Sequence, residues 1–389
     1  MKKFSPLIAL TLLAGFVTLC ALKASAQDEK QAQIERDTYA ACWDKGKDES
    51  KCIQLCTEVV EKYPGSVYAK NCKTKLDNKK TADLWQKFQN GLKSYYDAPD
   101  IGKLEQFFAT CEEFLKVQPG QQTVIGHMAL AGADGAMGGV GYKSLDMVKG
   151  YAEAALKAVE PAAPPQGYEK QEWESLRELV LARVNQYLGW QLIVPIKGDQ
   201  NLALDYLAKA IQVKSKDVIG WKDPYNYYLR AIVYNNQYME ARKPYDAMTD
   251  EQKVSDAGKE ILKKIIDLLD TKLIPEYARV LATATSKETK PYADEVKPTF
   301  DGLWDYRTGA KDQAADYIKN YVDDPTIASV SIPAKPVDQS SLNAPAATTT
   351  VPGAVKLQST KPAGATGANG NGAKSTPAKG RAKSKSKKP

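Results

Sequence analysis

The stretch GWQLIVPIKGDQNLALDYLAKAIQV, Gly189 to Val213, leaves the chain few options. It reads as a helix that ends near Pro195, a tight turn at Gly198-Asp199, and a second helix running back. After the turn, Ala203, Leu207, Ala210 and Ile211 recur on one face of a 3.6-residue period. Asp199 is placed to cap the second helix, because its carboxylate can accept from free N–H groups of the first turn. Gly189 and Ala203 carry little bulk, so two antiparallel helices can approach closely there. Neither helix can bury its apolar stripe alone, and the pair therefore needs a neighbour stacked on it.

Such neighbours are present. Gly302 to Pro325 repeats the pattern: small or apolar residues follow Gly309 at Ala314, Ile318 and Tyr321, as Ala203, Leu207 and Ala210 follow Gly198. A third version comprises Ala40, Trp43, Gly46, Cys52, Cys56, Val59 and Pro64. These residues resemble the tetratricopeptide repeat (TPR), a helix pair of about 34 residues with small residues where the helices cross. Cys52 to Ala69 is similar, more narrowly, to repeats of bacterial periplasmic and outer-membrane-associated scaffold proteins. The unit at 189–213 departs from the pattern by two extra residues before its turn, Pro195 among them. The resemblance implies an all-α, TPR-like α-solenoid of antiparallel helix pairs. It also implies a non-enzymatic scaffold or assembly factor of the bacterial cell envelope, with a concave groove that receives a protein or peptide segment.

Charge divides the chain into three. Of the total of +7, residues 1–26 carry +3 and residues 328–389 carry +9, which leaves −5 on 27–327. Residues 1–26 place two lysines before an uncharged run from Leu7 to Leu22, followed by Ala24-Ser25-Ala26. That order predicts a secretory signal cleaved after Ala26 and an exported protein, periplasmic or associated with the outer membrane. At the other end, 328–389 is built from Ala, Pro, Thr, Gly, Ser and Lys without an aromatic residue, and is expected to remain a disordered basic tail. Between them, helical repeats are expected over 27–160 and 168–327, with PAAPPQG at 161–167 as a linker.

Export makes the cysteines informative. Cys52 and Cys56 share a helix face, Cys42 precedes them and Cys72 follows. In an oxidising compartment two bridges would staple the first hairpin, for example Cys42–Cys52 and Cys56–Cys72; four cysteines allow three pairings and the spacing does not choose. Four small core residues at the helix crossings is the competing reading. Cys111 is expected to be a buried free thiol.

The glycine-rich segment Gly126 to Gly141 holds the only histidine, His127. Gly139-Val140-Gly141 is followed by Tyr-Lys-Ser, which fits no phosphate-binding loop, so the small residues are read as close helix crossings or a turn. From Asp223-Pro224 a helix begins that contains Tyr225, Tyr227, Tyr228, Tyr234, Tyr238 and Tyr245. Tyrosine offers large contact area with few rotors to freeze. Tyr225, Tyr228, Tyr234 and Tyr238 are accordingly the candidate partner-binding residues, with ordinary helix packing as the alternative use. Pro275 is expected to kink or break the helix begun at Lys264.

No catalytic residue is expected: a single histidine permits no H-E-x-x-H site, and no G-x-S-x-G elbow occurs. Paired acids such as Asp294-Glu295 read as solvated faces, and no metal or cofactor is called for. The second function class is a polyanion-binding envelope protein that acts through its tail, with an anionic polymer or membrane surface as partner; nucleic acid is not expected.

Overall fold

A computed structural model describes residues 28–44, 48–138, 140, 145–165, 168–194, 198–214 and 220–335. The signal segment 1–26, Gly46, Gly139, Gly141, Pro195 and the tail from 336 lie outside the described residues. Among the described residues the chain is helical and has no strand; Lys214 and Gly220 make an isolated antiparallel bridge. No described helix is long and apolar enough to cross a membrane. The chain separates into two compact units, Met1–Gln89 and Asn90–Pro389.

The first unit contains α1 (28–43), α2 (Glu49–Lys62) and the leading part of α3 (Ala69–Asp97). Asp48 caps α2 by accepting from the Lys51 amide at 3.0 Å. Its core is small: Ile34, Ala41 and Val59 with Cys42, Cys52, Cys56 and Cys72. Trp43 stacks on Tyr68 at its edge, with centroids 5.4 Å apart.

The second unit takes the rest of α3, then α4 (Ile101–Val117), α5 (Gln122–Met137), α6 (Leu145–Ala158), α7 (Lys170–Ile193), α8 (Gln200–Ile211) and α9 (Pro224–Asp246). It continues through α10 (Asp250–Lys253), α11 (Asp256–Leu268), a π-helical turn (Leu269–Leu273), α12 (Ile274–Thr283), α13 (Lys290–Thr308) and α14 (Ala314–Lys319). From α4 to α9 each helix packs on the next, and α5 also meets α7, as α7 meets α9. Beyond α8 the pattern changes, and α9 packs on α11, α12 and α13.

The hairpin of α7 and α8 is the tightest pair. Asp199 accepts from Asn201 N at 2.8 Å and Leu202 N at 3.2 Å, which starts α8 where the sequence places it. A Cβ on Gly189 would lie 2.8 Å from Leu207 Cγ and 3.2 Å from the Ala203 carbonyl, closer than packed atoms sit. The glycine-rich α5 is used in the same way: a Cβ on Gly135 would meet Leu104 at 2.6 Å.

Three features depart from the sequence reading. The later copy is cut short: after Gly309 comes a 3-10 turn (Lys311–Gln313), and α14 stops at Lys319. Asn320 ends it, its side-chain amide donating to the Asp316 and Tyr317 carbonyls at 3.3 and 2.9 Å. Secondly, the chain divides between residues 89 and 90 rather than at 161–167. The prolines do break the helix, but α5 and α6 pack on α7 across the break. Arg177 Nε donates to the Val159 carbonyl at 3.0 Å, and Arg183 Nε pairs with Asp134 at 2.5 Å. Thirdly, 328–335 belongs to the folded body: Val330 and Ile332 pack against the core, and the Lys335 amide donates to the Arg307 carbonyl at 2.8 Å.

Candidate functional site

The tyrosines expected to line a contact surface are mostly interior. Tyr225, Tyr228 and Tyr238 are buried and Tyr234 is half-buried. Helix α9 packs against α7, α8, α11, α12 and α13, and from Pro224 to Val233 every residue but Arg230 is buried. Two of the buried hydroxyls are partnered inside, Tyr228 donating to Glu295 at 2.8 Å and Tyr227 to the Trp221 carbonyl, while that of Tyr245 has no partner. Burial, followed by the Glu295 contact, pushes the Tyr228 pKa up, while burial raises that of Glu295 itself.

The four N-terminal cysteines form two bridges, Cys42–Cys52 and Cys56–Cys72, with Cα atoms 4.9 and 4.7 Å apart. The sulfurs of Cys42 and Cys56 lie 3.7 Å from each other, so the bridges are adjacent. Bridged sulfurs are not thiolates, the form that ligates a metal. Cys111 is free and buried, and desolvation pushes its thiol pKa up. Burial lowers the His127 pKa to about 4, so the imidazole is neutral at pH 7.

A different site emerges where α9, α12 and residues 325–329 meet. It begins with a backbone irregularity. In the π-helical turn the Ile274 N–H reaches back five residues to the Leu269 carbonyl. Pro275 then contributes no N–H, which frees the Thr271 carbonyl four positions earlier. The Ser329 hydroxyl donates to that carbonyl at 2.9 Å. One turn further along α12, Arg279 donates from Nε to the Pro325 carbonyl and from Nη2 to the Ile327 carbonyl, both at 2.8 Å. Its guanidinium also lies 4.7 Å over the Tyr321 ring.

The next residues, 330–335, are gripped by their backbone. The Val330 amide donates to the Tyr321 hydroxyl at 2.9 Å, and the Tyr317 hydroxyl donates to the Val330 carbonyl at 3.0 Å. The polar contacts of this non-helical segment thus run through main-chain atoms and Ser329, while Val330 and Ile332 add apolar packing against the core.

Beneath 325–329 is a cavity of about 220 Å³ whose lining includes Arg230, Lys272, Glu276 and Arg279. Glu276 is 2 % exposed. Its Oε1 accepts from Arg279 Nη1 at 2.8 Å and pairs with Arg230 Nη2 at 2.9 Å. Its Oε2 is buried and has no hydrogen-bond partner, a state that costs about 1–3 kcal/mol. Burial is the largest influence and opposes the charge on Arg230, but Glu276, Tyr234 and Tyr227 together outweigh it and the pKa is raised. Tyr234, alone of the four candidate tyrosines, hydrogen-bonds here, to Arg230. A larger, open depression along α11 is lined by Glu260, Lys263, Lys264 and Asp267, a solvated face of mixed charge with none of these buried orphans.

Glu276 and Arg279 did leave a trace in the sequence: a charged pair three residues apart inside the apolar run from Leu273 to Ala282. Arg230, on a different helix, left none. The chain matches no protein-family model, no curated protein and no solved structure.

Proposed function

We propose that this chain is a non-enzymatic interaction protein of the bacterial cell envelope, a TPR-like helical-repeat scaffold that holds extended segments of other proteins. The observation that carries the reading is the grip on 325–335. Side chains of α12, α14 and the residue pair Tyr317/Tyr321 meet a non-helical segment through its main-chain carbonyls and amides. Recognition through backbone atoms tolerates varied side chains, and the packing of Val330 and Ile332 asks only for apolar residues at those places, so the same donors and acceptors suit a segment from another chain. The neighbour-to-neighbour packing of α4 to α9 supports the repeat reading, since it supplies successive crossings on which such a surface is built.

The test is photo-crosslinking in cells. A photoreactive residue replacing Ile327, which is 38 % exposed, should trap a small set of envelope proteins identifiable by mass spectrometry. Trapping of nothing but the chain itself would end this reading. The tail supports a second one: its surplus of positive charge suits lipopolysaccharide, lipid headgroups or wall polymers. Binding of that kind weakens steeply between low and physiological salt, whereas a backbone grip is far less salt-sensitive.

A further inference from the structure

The four cysteines of the first unit sit closer together than two separate bridges require. The sulfurs of Cys42, Cys52 and Cys56 all lie within 4.8 Å of one another, and that of Cys72 is bonded to Cys56. Between the bridges, Cys42 Sγ is 3.7 Å from Cys56 Sγ. A four-coordinate zinc with zinc–sulfur bonds of about 2.3 Å has its sulfurs about 3.8 Å apart along each edge of the tetrahedron. One edge of that figure is therefore already in place. Once a bridge is opened, its two sulfurs can part to the same distance by rotation about Cα–Cβ.

The surroundings suit a metal held for structure. All four side chains are buried, Cys56 and Cys72 completely, beside Ile34, Ala41 and Val59, whose side chains offer no ligand atom. The only histidine, His127, lies outside this unit, which leaves an all-sulfur set, and thiolates favour soft cations such as zinc. Cys52 and Cys72 are the fourth residues of α2 and α3. Their side chains lean towards the helix N-termini, the positive ends of the helix dipoles, which favour thiolate. The unit also buries few large side chains, and a domain of that kind is usually completed by disulfides or a metal.

We propose that, with its bridges reduced, the first unit binds one zinc ion through the thiolates of Cys42, Cys52, Cys56 and Cys72. A dithiol reductant attacks one sulfur of a bridge and the other sulfur leaves as a thiolate. The reductant's second thiol then closes its own disulfide, so two reductant molecules turn the two bridges into four cysteine thiols. Zinc displaces their four protons and forms four zinc–sulfur bonds, which leaves no open position and gives the ion a structural role. A disulfide oxidant reverses the exchange: it rebuilds the two bridges and expels the metal. The same side chains thus hold the unit in either redox state, whether or not the second unit holds segments of other proteins.

The test uses the full chain, reduced without oxygen by a phosphine, which ends as its oxide and is then removed. Zinc is titrated in against a chromophoric chelator. One ion per chain should bind with a Kd of tens of nanomolar or tighter, and the oxidised chain should take up none at that strength. Cobalt in place of zinc should give the absorption bands of a tetrahedral site of four thiolates. In hydrogen exchange, amides of α1 and α2 loosened by reduction under chelator should regain protection when zinc is added. Cys56→Ser should weaken zinc binding by about a hundredfold or more, while Cys111→Ser in the second unit leaves stoichiometry and affinity unchanged. Should Cys56→Ser fail to fold, the cobalt spectrum of the unaltered chain decides, and fewer than four sulfur ligands would overturn the proposal. So would a reduced chain that binds zinc no better than the oxidised one. Zinc bound without any return of amide protection would overturn it too, since an unfolded chain would then be holding the metal.

Discussion

Residues 28–89 bury Cys42, Cys52, Cys56 and Cys72 where the residues from Asn90 onward bury tryptophan, tyrosine and the arginines of ion pairs. The smaller unit has few large side chains to remove from water, and two covalent links across it limit the disorder available to its unfolded state. The larger unit has apolar surface to spare and can carry the desolvation cost of Arg183–Asp134, Arg307–Asp270 and the Glu276 group. Buried charge of this kind adds little to stability, but it fixes where a helix or a segment must lie. One unit is held by bonds, the other is positioned by charges.

The sharpest way to break that contrast is reduction. The bridges close loops of 10 and 16 residues in sequence separation, and each is expected to contribute about 2–4 kcal/mol. With both reduced, amides of α1 and α2 should lose protection in hydrogen exchange read by mass spectrometry, while those of α7 and α9 keep theirs. Equal exchange with and without reductant would show that the staples are not what holds the first unit.

Removing the buried arginine of a largely buried pair should be the next largest effect. Arg183→Met leaves Asp134 without its 2.5 Å guanidinium contact and should cost about 3–5 kcal/mol in urea unfolding. Adding Asp134→Leu should recover most of the loss. If the double variant is no better than the single, the pair is not the positioning device described here.

Acid should separate the units further. The folded-state pKa of His127 is lowered to about 4, against about 6.5 for an unfolded imidazole. The unfolded chain therefore binds the proton first, and stability is lost as pH falls from 6.5 towards 4, by up to about 3 kcal/mol. The first unit has no histidine and should not share this loss. In His127→Gln the difference between unfolding at pH 7 and pH 5 should shrink, and an unchanged difference would assign the acid response to other groups.

The smallest expected effect concerns packing alone. Gly189→Val places atoms on Leu207 and the Ala203 carbonyl and should cost about 1–3 kcal/mol, partly relieved by Leu207→Ala. A neutral result in thermal unfolding would mean that α7 and α8 can separate without loss.

The pairing of α7 with α8 was readable in the sequence because it is local: Asp199, Gly189, Ala203 and Leu207 lie close together in the chain. The tyrosines of α9 were harder to place, since residue type says how much area a side chain offers and nothing about what covers it. Their spacing held the hint. Apolar residues from Tyr225 to Tyr234 fall on every face of the helix rather than along one stripe, the mark of a central helix. The charged cavity was not legible, because Arg230, Ser329 and the Glu276/Arg279 pair come from separate elements that only the fold brings together. Nor was the docking of 328–335, whose tail-like composition conceals that Arg307, Tyr317 and Tyr321 supply its partners.

A single imino acid links these features. Had residue 275 possessed an amide hydrogen, it could have closed the helical ladder onto Thr271, and the Ser329 hydroxyl would have had to share that carbonyl. A gap in one helix thus serves as the latch for a segment 54 positions further along, counted from 275 to 329. The roof over the cavity inherits its position from that omission, and loosening the latch, whose two halves also line the chamber, would alter access to it.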